Sequence, residues 1–194
     1  MPRISRDSLM SLEAYAKARK DFRARVLEHK KPRTVHLGPH VTLIFEDELT
    51  IRYQVQEMLR VERTFEEEGI QDELDAYNPL IPDGSNFKAT MMIEYEDIDA
   101  RRAALAELKG IEDRVYVEVE GQSRVYAIAD EDMDRANEQK TSAVHFLRFE
   151  LTRDAVRALK AGASLAAGVE HPRYAFRIDA LPDETRAALV ADLA

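Results

Sequence analysis

RTVHLGPHVTLIFE, residues 33–46, decides the fold class. Its apolar residues alternate on both sides of a short break, so the length of that break sets the register. A three-residue loop, Gly38-Pro39-His40, places Val35, Leu37, Val41, Leu43 and Phe45 on one face, whereas a two-residue loop scatters them over both. The stretch therefore reads as an antiparallel hairpin. Downstream, FKATMMIEYE (residues 87–96) alternates almost ideally, with Phe87, Ala89, Met91, Ile93 and Tyr95 inward and Lys88, Thr90, Met92, Glu94 and Glu96 outward. RVYVEVEGQSRVYAIAD reads as a second hairpin turning near Gly121-Gln122. Further strands are expected at 143–151 and about 164–170, the first with His145 in phase with Leu147, Phe149 and Leu151.

Helical spacing fills the intervals. Residues 7–30 carry Leu9, Leu12, Ala16, Phe22 and Val26 at helical spacing, and Pro32 ends the run. Shorter helices are expected at about 99–109 and 152–161, with a last one opened by Pro182 and favoured by Asp183 and Glu184 in its first turn. The acidic stretch EEEGIQDELDAY reads as a helix broken by Gly69, and NPLIPDGSN (residues 78–86) as a loop. Hairpins interleaved with helices, without regular parallel crossovers, define an α+β fold with a mainly antiparallel sheet. The 194 residues suit a single domain, with the polar stretch around 130–142 as the one candidate subdivision.

Composition narrows the chemistry. There is no cysteine, which excludes disulfides, thiolate nucleophiles and cysteine-ligated metal centres borne by this chain. No apolar run approaches the roughly 20 residues of a membrane span, and MPRISRDSLM lacks the apolar centre of a secretory signal, so a cytoplasmic location is expected. Residues 1–33 carry ten Lys/Arg against four Asp/Glu, so the rest of the chain holds −15 of the net −9. An acidic body disfavours nucleic-acid binding. The basic N-terminal helix is expected to dock on that body, or else on an acidic partner.

ELTIRYQVQEMLRVERTF (residues 48–65) raises the functional question. At about 100° per residue, Ile51, Val55, Met58, Leu59 and Phe65 share a stripe, and Glu62 falls near its middle. A carboxylate there must be paired, protonated or metal-bound. Tyr53, Gln56, Glu57, Arg60 and Arg63 lie opposite. Tyr53, Glu57 and Arg60 make an aromatic, an anion and a cation on one strip, the composition of a partner- or ligand-binding face. Asn78 and the loop after it add backbone donors. Glu62, Glu57 and Glu94 are the candidate metal ligands, and hard oxygen donors suit iron or manganese. His36 and His40 do not form a metal pair in the register above, since one sits on the outer face of a strand and the other at the loop tip. No Gly-rich phosphate loop, nucleophile elbow or HExxH appears, which weighs against the common enzyme classes.

RTVHLGP, YQVQEMLRVE, ELDAYNPLIP, FKATMMIE and FLRFELT with HPRY together resemble the bacterial family known as domain of unknown function 3501. The resemblance spans nearly the whole chain, and YQVQEMLR is its most specific part. Genes of that family lie beside those of a rubrerythrin-like di-iron protein and an iron–sulfur oxidoreductase. The resemblance therefore implies an accessory or partner-binding role in a bacterial redox or peroxide-stress system; no cofactor is expected, with iron or manganese as the alternative. Two alternatives come from the residues: a carboxylate-ligated metalloprotein, and a small-molecule-binding domain with a ligand between sheet and helices near Asn78 and Arg60.

Overall fold

The computed structural model describes residues 3–131 and 140–194. The first hairpin forms as its alternation dictates: β1 (Thr34–Leu37) and β2 (Val41–Phe45) pair with Val35 opposite Leu43 and Leu37 opposite Val41. β3 (Asn86–Ile93) extends the sheet beside β2, and β7 (Val144–Glu150) and β6 (Ile128–Ala129) complete it in the order β1-β2-β3-β7-β6. β4 (Val115–Val119) turns at Gly121 into β5 (Val125–Tyr126), and with β8 (Leu165–His171) and β9 (Tyr174–Ile178) forms a second sheet, β5-β4-β8-β9. Every pairing among the described residues is antiparallel. Around Ala127 the chain passes from the second sheet to the first, a strand switch that the expected second hairpin did not contain.

Two apolar compartments result. The larger joins the alternate residues of both sheets, among them Leu43, Met91, Phe149, Val117 and Val169, and is closed by Leu105 and Leu108, by Leu159 of α5 (Arg153–Lys160) and by Leu189 of α6 (Asp183–Val190). Phe45 contacts Phe87 edge-on at 6.0 Å and Phe149 at 6.1 Å between ring centroids. The smaller compartment lies among α2 (Glu48–Glu62), α3 (Glu67–Tyr77) and the N-terminal segment, built from Ile4, Leu9, Ile51, Val55, Leu59, Ile70 and Leu74.

Helix boundaries depart from expectation at two places. The first helix, α1 (Leu12–Lys30), begins only at Leu12, because Ser11 caps it by accepting from the Ala14 N–H; residues 6–8 are a separate 3-10 turn. Tyr15 and Val26 are its buried residues, while Ala16 is exposed. α3 runs through Gly69 unbroken. α4 spans Ile98–Glu107, close to the expected position.

β9 was not anticipated. It is an edge strand without a buried stripe, so its sequence carries no alternation to read. The polar stretch considered as a subdivision falls largely on residues 132–139, which lie outside the described residues.

Candidate functional site

The polar strip of α2 meets the chain's own N-terminal helix. Glu57 takes two hydrogen bonds from Arg19, at 2.7 and 3.0 Å, one from the Tyr15 hydroxyl at 2.7 Å and one from Arg60 at 3.3 Å. Arg19, joined by Tyr15 and Arg60, outweighs burial and holds the Glu57 carboxyl down at about 2. Burial and the same carboxylate push the Tyr15 phenol up. Tyr53 packs 6.1 Å from Phe22 of α1 and carries the Lys30 ammonium 5.9 Å from its ring centroid.

Gln56, expected on the outer face, is fully buried: its amide accepts from the Met10 N–H and donates to the Met10 carbonyl. Asn78 holds the Ile4 N–H and carbonyl in the same manner. The basic N-terminal helix thus docks on the acidic body.

Glu62 is corrected most sharply. It is exposed, as are Val61, Arg63 and Phe65, the last 72% accessible. α2 ends at Arg63 in the left-handed region (φ 53°), and Glu62 is exposed although Leu59 in the same last turn is buried. Phase fixes the direction of a side chain, not whether another element lies at that height. Of the other two proposed ligands, Glu57 is occupied as above and Glu94 accepts from Thr42 at 2.6 Å. Among the described residues, no group of three or more His, Asp or Glu is placed to hold a metal ion.

His145 is the expected core histidine, with no accessible surface. Its Nδ1 lies 2.5 Å from Asp130 Oδ2, and its Nε2 lies 2.9 Å from Thr141 Oγ1 and 3.0 Å from the Ser142 carbonyl. Thr141 in turn donates to Glu112. Asp130 also accepts from the Phe146 N–H, so the network staples β6 to β7.

Among several concave sites, one lies between the outer face of the first sheet and the helical layer. Ile44 of β2, Met92 of β3 and Val144 and Phe146 of β7 form an apolar floor. Ile51 of α2 and Leu80 stand over it, enclosing about 250 Å³. Four polar side chains also line the cleft: Lys30 from the end of α1, Glu46 after β2, Gln54 of α2 and Tyr77 of α3. Glu46 is 8% exposed; one oxygen accepts from Thr90 at 2.7 Å, and the other has no hydrogen-bond partner among the described residues. The Gln54 amide and Tyr77 hydroxyl likewise have none there.

Asn78 and Arg60, expected to contact a ligand between sheet and helices, do not line this space. The signal for it was present in the sequence: Ile44, Met92 and Phe146 are apolar at outward strand positions, which requires a second layer on that face.

Architecture and site define an α+β protein of two antiparallel sheets carrying a helical layer, with a cleft at the seam. The family profile described as "Protein of unknown function (DUF3501)" matches residues 3–193, and the chain belongs to that family. It is similar to a crystal structure of a novel protein of unknown function from Burkholderia pseudomallei K96243, with 57% identity, full coverage of both chains and a TM-score of 0.93. No match to a curated protein was found. Among the described residues, no helix is long and apolar enough to cross a membrane.

Proposed function

We propose that this protein binds a small molecule in the cleft between the first sheet and the helices. The supporting observation is the combination found there: an apolar floor, apolar side chains from the helical layer facing it and a few polar groups with unused hydrogen-bonding capacity, the usual make-up of a ligand site. Its volume, about 250 Å³, is under the ~300–1,000 Å³ typical of drug-sized ligands, so the ligand is small. Filling the cleft tests the reading. A library of small apolar and amphipathic compounds should raise the melting temperature of the native chain for some members, and Ile44→Trp should abolish those shifts while remaining folded. Equal shifts in both proteins, or none in the native one, would count against it.

A docking role beside an iron–sulfur oxidoreductase and a rubrerythrin-like protein is the second reading. What favours it is the pair of exposed apolar side chains at the end of α2, Val61 and Phe65, which have little cover among the described residues. Mild co-purification from the native host should recover such a partner with the wild type and lose it with Val61→Ser/Phe65→Ser. Recovery of neither partner by the wild type would remove this reading.

A further inference from the structure

The cleft presents an anion and a cation that do not pair with each other. Glu46 has one oxygen free and is more than nine-tenths buried, beside the apolar residues of the floor. Lys30 lines the same space, and its ammonium lies 5.9 Å from the Tyr53 ring centroid with no ion pair among the described residues. Arg33 feels the Glu46 charge, but its hydrogen bonds go to Asp192 and the Ala188 carbonyl, so it does not satisfy the spare oxygen.

A carboxylate oxygen without a protein partner in a mostly apolar cleft is matched best by an ammonium donor. An ammonium-bearing ligand alone would leave Lys30 unmatched, and a carboxylic acid alone would meet Glu46. A molecule carrying both charges complements both walls.

We infer that the cleft takes a small zwitterion with an apolar body, of the class of apolar α-amino acids. Its ammonium donates to the free oxygen of Glu46, its carboxylate accepts from Lys30, and its side chain lies on Ile44, Met92 and Phe146. Gln54 and Tyr77 supply further hydrogen bonds to the carboxylate. The small volume suits a ligand of this size. The inference rests on the proposed ligand-binding role and specifies its chemistry.

Calorimetric titration of the full chain tests it with four probes of one shape: L-leucine; isopentylamine, which lacks the carboxylate; 4-methylpentanoic acid, which lacks the ammonium; and the uncharged 4-methylpentanamide. Leucine should bind at least about tenfold more tightly than each of the others, the usual worth of one charge-assisted hydrogen bond. Glu46→Gln, which keeps the shape and the bond to Thr90, should weaken leucine and the amine by about tenfold and spare the acid. Lys30→Met should weaken leucine and the acid and spare the amine. Melting curves of both variants establish that they are folded.

If the amine, the acid or the amide binds as tightly as leucine, the zwitterion inference fails while the cleft remains a binding site. If leucine binds but neither substitution changes it, the ligand sits elsewhere and the inference also fails. If no probe binds, the inference fails. The compound-library comparison with Ile44→Trp separately decides whether the cleft binds anything.

Discussion

At the scale of the residue, Glu57 shows how a side chain that looks like an exposed recognition group becomes an internal clamp. Its carboxyl lies at about 2, below the ordinary 4.5, because Arg19 and then Tyr15 and Arg60 hydrogen-bond its ionised form. A carboxylate depressed in the folded state stabilises the fold above its unfolded pKa, and that contribution disappears as pH falls through the folded value. Glu57→Gln should therefore cost about 1–3 kcal/mol at pH 7. The gap from wild type should narrow between about pH 4.5 and 2 in urea melts. A gap independent of pH over that range would mean Glu57 acts through shape alone. Glu62→Ala, by contrast, should change stability by less than about 0.5 kcal/mol, since the side chain is exposed. A larger loss in the same melts would restore the buried carboxylate that the helical phase suggested.

Elements were legible where one face is buried and the other is not. The hairpin of β1 and β2 follows from alternation alone, and so does the inward set Phe87, Ala89, Met91 and Ile93. The loop between β1 and β2 is also fixed by a tyrosine from the other sheet. Tyr174 donates to the Leu37 carbonyl and accepts from the His40 N–H. Gly38 sits beneath it at φ +76°, where a Cβ would lie 2.6 Å from the hydroxyl. Gly121 has the same φ and nothing within 4 Å.

Gly38→Ala should thus cost more than Gly121→Ala, by about 1–3 kcal/mol. Thermal melts of the two variants separate the steric contact from backbone strain, and equal losses would show that the tyrosine simply moves aside. The outward apolar residues Ile44, Met92 and Phe146 signalled a covering layer, but not which residues line the cleft, because these come from three strands and three helices far apart in sequence. Gln56 was misplaced for a related reason: the segment that covers it arrives from residues 4–12, with no local pattern to announce the return.

Across the whole molecule, Arg33 ties together parts that no hairpin connects. It is 4% exposed, grips Asp192 at 2.8 and 2.9 Å, and lies 3.1 Å from Asp47, the N-cap of α2. Burial outweighs the guanidinium at Asp192 and pushes its carboxyl up, which marks a pair under strong desolvation. Breaking such a pair is costlier than replacing it. Arg33→Met should lose about 3–5 kcal/mol, and adding Asp192→Leu should recover part of that loss. Chemical denaturation of the single and double variants measures this. A double variant no better than the single would place the cost on Asp47 or on packing instead.

The division of the apolar interior into two compartments bears on how the molecule breathes. The helical compartment buries fewer residues than the one between the sheets, and the cleft separates it from the first sheet. Amides of α2 should therefore exchange with deuterium through openings of lower free energy than those of β3, as a partly independent cooperative unit. An occupant in the seam would touch both units at once. It would raise the opening free energy of the helices and bring their exchange closer to that of the strands, so that binding would be read as a gain in cooperativity before any change in shape.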